Sequence, residues 1–329
     1  MKTTTLLMLL ILIWFVSPPM VMAAPTVYIP LGSGNQVIAV DAASGRITAS
    51  YPGVENPHGL VATPDGEYLI AGSLTETPVP AGAPHDTPNS KLYLVHPGHG
   101  HVMATIPVSG WTHHQAITPD GRYVLSTHPT RGALSVVDLR SNKVVRTLAT
   151  GAAPNYTLVT RNGKRAYVSN GGDGTVSEVN LEKWNVVRTL EAGPVPEHMA
   201  FAADEKTIFV ANPNAGTVSA VSVSSGKVAR VYKIGENLHG LDVGDDGRTL
   251  FVSSQKENLL VALDPQTGAQ RKLTLGPAPY HLNTIRGTGK VYVSSRKEPK
   301  VWVVDQKTLT VTATIALPAG EGHQMAVIE

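Results

Sequence analysis

Pro57-His58-Gly59-Leu60, followed six residues after the histidine by the turn Pro64-Asp65-Gly66, is the unit on which this chain is built. Counted back from the C-terminus, His323, His281, His239, Glu197, Asn155 and His113 stand 42 residues apart, and one longer step of 55 reaches His58. A fixed period between about 20 and 50 residues is the mark of a repeat architecture. Between heads the sequence reads as four short strands, in the fourth unit 157–160, 166–169, 175–179 and 186–190. They are β-branched, alternate in polarity and are bounded by Gly, Asn and Asp. Turns after the first strand carry Pro64-Asp65-Gly66, Pro119-Asp120-Gly121, Asn162-Gly163 and Asp246-Gly247, in which proline presets the backbone and glycine accepts positive φ. Turns after the third strand begin with Asp41, Asp138, Asp264 and Asp305, which suit local backbone capping.

Serial four-stranded units predict an all-β fold, a β-propeller. Residues 325–328 read as an innermost strand without successors, and 27–30, 37–40 and 47–50 as three strands lacking one before them. Joined, they make blade 1 of seven, so that a C-terminal strand closes the ring. The expected organisation is a signal peptide over 1–23 and one propeller domain over 24–329, with an insertion at 74–90 in blade 2. Lys2, the apolar run 6–16 and Val21-Met22-Ala23 supply the export signal, with cleavage expected after Ala23. The apolar run is short for a membrane span, and no stable membrane anchor is expected. The expected compartment is the periplasm or the exterior. The absence of cysteine removes disulfides, thiolate ligands and covalent c-type haem from consideration. A formal charge of +2 without a basic run excludes nucleic acid as the natural partner.

Tyr167-Val168-Ser169-Asn170, Phe209-Val210-Ala211-Asn212, Phe251-Val252-Ser253-Ser254 and Tyr292-Val293-Ser294-Ser295 resemble the repeat of the YVTN β-propeller family, and the resemblance covers essentially residues 26–329. The chain is also similar to the cofactor-bearing propellers of haem-containing nitrite reductase and nitrous oxide reductase. The latter resemblance implies that His58, His113, His114, His198, His239, His281 and His323, at the inner ends of the blades, hold copper. This chain is shorter and lacks a cysteine-bearing copper domain, so nitrous oxide reduction itself is not expected. The nitrite reductase resemblance implies a non-covalent haem-type cofactor on one axial histidine, with room at Gly59 and Gly240. Resemblance to virginiamycin B lyases and lactonases implies acid–base roles for Glu197, His198 and His239.

Chemistry alone supports the same set. Imidazole is neutral near pH 7 and suits copper, zinc, iron and nickel. The insertion at 74–90, with His85 and Asp86, shares the head face and is expected to cover the site, and His128 falls in the matching loop of blade 3. His128 and Tyr156 are therefore expected to contact a cofactor. His96, His99 and His101 belong to the opposite face. The leading expectation is a transition metal, copper first, or a metallocofactor, with zinc or another divalent ion as alternatives. The roles would be redox chemistry or cofactor assembly and delivery to a periplasmic redox or recipient protein. A propeller that only recognises a protein or small-molecule ligand, and a His/Glu lyase or lactonase, are the competing classes.

Overall fold

The first three strands of blade 4, Pro154–Val159, Arg165–Asn170 and Thr175–Asn180, lie edge to edge with Asn185–Glu191 outermost. The second and third are buried almost throughout, whereas the outer strand alternates exposed and half-buried residues. That difference explains the sequence pattern: strands covered on both faces read as continuous apolar runs, and the rim strand reads as an alternation. The computed structural model describes residues 24–328. The expected export signal lies outside the described residues.

Seven antiparallel sheets of this kind follow one another. Blades 2, 3, 5, 6 and 7 begin at Pro57–Ala62, Gln115–Ile117, Met199–Phe201, Leu238–Val243 and Pro279–Ile285. Blade 1 takes its inner strand, Ala326–Ile328, from the C-terminus and sets it against Thr26–Leu31, with Val27 opposite Val327. Gln36–Asp41 and Ile47–Pro52 complete it.

What closes the ring is a core divided into seven parts, one at each blade junction. Val27, Ile29 and Ile38 of blade 1 pack on Ile285, Tyr292 and Val301 of blade 7, just as Leu125 and Leu134 of blade 3 pack on Ala166 and Val168 of blade 4. The remaining five junctions are built likewise. The Pro-Asp-Gly turns behave as expected: Asp65 Oδ1 accepts from the Thr63 hydroxyl and Glu67 N, and Gly66 and Gly121 adopt φ of 72° and 71°. Asp41 and Asp305 accept from the N–H groups of Ser44 and Thr308. Among the described residues no helix is long and apolar enough to cross a membrane.

Candidate metal centre

Each inner strand is entered through a residue with positive φ: Asn56, Gly110, Ala153, Val195, Asn237, Ala278 and Gly320. Val195, at φ 53°, is a β-branched residue in a region such residues avoid. A kink of this kind costs about 1–3 kcal/mol and persists only where the surroundings impose it.

Directly after the kink each head carries a bulge. Pro57 pairs with Ser73 but Leu60 with Ala71, so the inner strand has one residue too many, and blades 4, 6 and 7 repeat the irregularity. In blade 3, Thr127 serves two successive residues, accepting from His113 N and donating to His114 O. Ala211 does the same for Glu197 and His198 in blade 5. A bulge suspends strict alternation and re-aims side chains. Neighbours in sequence therefore both reach the axis, and the His113 and His114 rings lie 4.3 Å apart, centroid to centroid. A lone head followed by an outward-turned neighbour, the pattern simple alternation predicts, is replaced by pairs.

The structure brings His58, His113, His114, His198, His239, His281 and His323 into one cluster. His58 stands 4.3–5.0 Å from the rings of His113, His114, His281 and His323, and His198 is 4.5 Å from His239 and 4.7 Å from His114. Three triads offer nitrogens within 4.8 Å of one another: His58, His113 and His114; His58, His281 and His323; His114, His198 and His281. All but His113, which is half-buried, are buried.

Hydrogen bonds fix several tautomers. His58 Nδ1 faces the His113 carbonyl at 3.0 Å and His114 Nδ1 the Asn155 carbonyl at 3.2 Å. A carbonyl only accepts, so both Nδ1 atoms carry the proton and both Nε2 atoms present a lone pair. The Nε2 atoms of His114 and His198 are buried and have no hydrogen-bond partner. Burial and the neighbouring imidazoles hold His58, His114, His198, His239 and His281 well below the ordinary value, and burial pushes His113 down to about 3. These rings are neutral, as ligands must be.

The mouth is polar. Glu197 Oε2 lies 3.4 Å from His239 Nδ1, and His239 Nε2 is 3.2 Å from His281 Nε2. Burial raises the Glu197 carboxyl above its usual range. Tyr156 packs against His114 and His198 at 4.9 and 4.8 Å, and its hydroxyl titration is raised by burial. Tyr156 also lines a cavity of about 660 Å³, together with Arg161, Asp242 and Arg286.

Four neighbours escaped the sequence reading. Tyr280 stacks on His239 at 4.0 Å, the Arg296 guanidinium covers Tyr280 at 4.5 Å, Trp111 meets His113 edge-on, and Glu321 Oε1 lies 3.2 Å from His323 Nε2. Trp111 and Glu321 each stand two places before a head, a position the repeat itself marks.

Three expectations are corrected. Gly59 and Gly240 leave no room for a cofactor: a Cβ on Gly59 would meet the His113 carbonyl at 2.7 Å, and one on Gly240 the Leu282 nitrogen at 2.6 Å. Glycine is there because adjacent inner strands touch. The insertion at 74–90 reaches sideways to blade 3, not across the channel. Glu76 accepts from Trp111 N and the Thr130 hydroxyl, and Ser109 donates to the His85 carbonyl. His128 accordingly lies apart from the ring, with its Nδ1–H on the Gly110 carbonyl at 3.0 Å. His96, His99 and His101 sit in the turn on the opposite face, as expected, and His96 stacks on His99 at 4.0 Å.

Residues 89–312 match the sequence profile of the family described as outer membrane protein assembly factor BamB. The chain belongs to this family. BamB-type membership agrees with the β-propeller repeat family expected from the sequence. No curated protein matches the chain in sequence. Among solved structures it is similar to hydrazine synthase of Kuenenia stuttgartiensis, with 19% identity over 79% of this chain and 86% of that one, at a TM-score of 0.67. It is similar to a Bacteroides uniformis protein provisionally named a 6-phosphogluconolactonase, with 16% identity over 93% and 100% at 0.75. It is also similar to dihydro-heme d1 dehydrogenase NirN in complex with DHE, with 15% identity over 89% and 64% at 0.66. At these identities the likeness establishes the fold alone.

Proposed function

We propose that this chain is an exported, periplasmic propeller that binds a transition metal ion, copper first, at its histidine-lined head, and serves redox chemistry or delivery of the metal to a partner protein. The observation that carries this reading is the convergence of seven neutral histidines whose buried Nε2 atoms at His114 and His198 have no partner. An unmatched buried acceptor is costly, about 1–3 kcal/mol, and an ion would relieve it. The all-nitrogen donor set suits copper, nickel, iron and zinc, and the order of affinities among divalent ions puts copper highest. His58, His114, His198, His281 and His323 would hold the ion, while the backbone carbonyls behind His58 and His114 orient their rings. Ring centroids 4.3–5.6 Å apart and filled space at Gly59 and Gly240 favour a bare ion over a flat macrocycle. Elemental analysis and an optical spectrum of protein loaded with copper and desalted should show at least one ion per chain. Copper, iron and zinc all well below one per chain would sink the reading.

A second reading rests on the Glu197–His239 contact. A carboxyl raised by burial beside an imidazole is a plausible acid–base pair, and a propeller named a 6-phosphogluconolactonase shares the fold. Glu197→Gln separates the two. Under the metal reading this variant still loads copper, because the carboxylate touches His239 and not the unpartnered nitrogens. Lactone hydrolysis by metal-free protein that disappears in the variant would instead favour the acid–base reading.

A further inference from the structure

His323 uses its two ring nitrogens in the opposite sense from two of its neighbours. His58 and His114 give their Nδ1 protons to backbone carbonyls and keep Nε2 for the ring. In His323 it is Nε2 that is engaged, 3.2 Å from Glu321 Oε1. Its Nδ1 is buried and has no hydrogen-bond partner. The ring itself lies 4.3 Å from that of His58 and 5.4 Å from that of His281, centroid to centroid.

Glu321 is held in turn. Its Oε2 accepts from the Ser33 hydroxyl at 2.8 Å, and its backbone carbonyl accepts from Gly32 N at 3.1 Å. A carboxylate only accepts, so the proton of this contact sits on His323 Nε2 and Nδ1 carries the lone pair. Of the seven residues that stand two places before a head, Glu321 alone is acidic. Space is reserved for the pair as well. The residue just after the second strand is Leu74, Pro129, Pro213, Gln255 and Arg296 in blades 2, 3, 5, 6 and 7, but Gly32 in blade 1. Gly32 does not adopt a positive φ, so its backbone does not demand glycine. A Cβ there would collide with His323 Nε2 and lie 2.9 Å from Glu321 Oε1.

We propose that Glu321 is a positioning residue for the metal site, holding His323 as the Nε2–H tautomer so that Nδ1 is the atom it offers to the ion. The ligand role rests on the metal reading above; the tautomer rests on the contact alone. His58, His281 and His323 form one of the triads of converging nitrogens, and with Nε2 held by Glu321 the share of His323 falls to Nδ1. A carboxylate behind an imidazole fixes the ring and raises the basicity of the nitrogen that binds.

The test reads the histidine side-chain nitrogens of the 15N-labelled, metal-free full chain by long-range proton–nitrogen correlation, with His323 assigned by its loss in His323→Gln. Expected in the parent are a protonated Nε2 and an unprotonated Nδ1. Glu321→Ala should lose that preference while still unfolding in one thermal transition. Gly32→Ala, which drives a methyl group into the pair from the other side, should do the same. Zinc, a diamagnetic ion that the same donors suit, should shift Nδ1 and leave the Nε2 proton in place. Its dissociation constant should rise about 10–100-fold in Glu321→Ala. A proton on Nδ1 in the parent, loss of the Nε2 proton on adding zinc, or unchanged zinc affinity in Glu321→Ala would overturn the proposal. A parent that takes up neither zinc nor copper would overturn the metal reading and the ligand role together, and the metal-free spectra would still decide the tautomer.

Discussion

A His281→Ala chain, loaded with copper and desalted beside the parent, is expected to bind the ion at least about a hundredfold more weakly. Changes behind a ligand already cost 10–100-fold, and loss of the ligand itself costs no less than the upper figure. His281 is the residue to remove because it belongs to two of the three triads and touches His239 as well. His113→Ala, which removes a member of one triad and the half-buried ring, should cost less. Copper per chain and the visible spectrum are the readouts, with thermal unfolding of each metal-free variant as the control for folding. Unchanged loading in His281→Ala would move any metal away from the head cluster. The histidines of the 96–101 turn, which offer no comparable convergence among the described residues, would be next.

Acid should unfold the metal-free chain with unusual steepness. Seven ring histidines, with His128, have folded values below the ordinary 6.5. A depressed folded value means that the unfolded chain binds more protons between the two values, so stability is present above pH 6.5 and falls as pH falls. Glu321, held down to about 2 by the His323 hydrogen bond, acts in the same sense at lower pH. Glu197, raised by burial, acts in the opposite sense as pH rises through its folded value, but it is one group against eight. The melting temperature should be level from pH 8 to 7 and then drop through pH 6, 5 and 4 with an uptake of several protons per molecule. Copper in excess should raise it at pH 7, through an added stability of about 4 kcal/mol at a thousand times the dissociation constant. A melting curve indifferent to pH between 7 and 5 would contradict the burial of these rings as neutral groups.

The ring was legible because turn chemistry repeats with the heads: Pro-Asp-Gly needs one conformation and appears on schedule, and unpaired strands at both termini announce the closure. The seven histidines were legible as a set, since the period with its one longer step places five of them at one end of the channel. What the sequence hid was the bulge. Alternation is the default for a strand, and nothing in Pro196-Glu197-His198 states that Ala211 will serve two residues at once. For the same reason Tyr280 passed unnoticed, although it precedes His281 as His113 precedes His114. The insertion was misplaced because length shows that a loop exists and not which way it leans. Its direction depends on Glu76 and Arg131 contacts between residues 54 and 55 positions apart.

The closing strand has a consequence in time. His323 lies just before Ala326–Ile328, with its N–H on the Pro30 carbonyl, and Gln324 N bonds the carbonyl of His58. The first and last head histidines, His58 and His323, thus become neighbours only when the two ends of the chain meet. No nascent or truncated chain that stops short of the last dozen residues can present the full set. Metal uptake at the head would therefore report that the ring is shut, and loss of Ala326–Ile328 with the residues just before it would remove closure and His323 at one stroke.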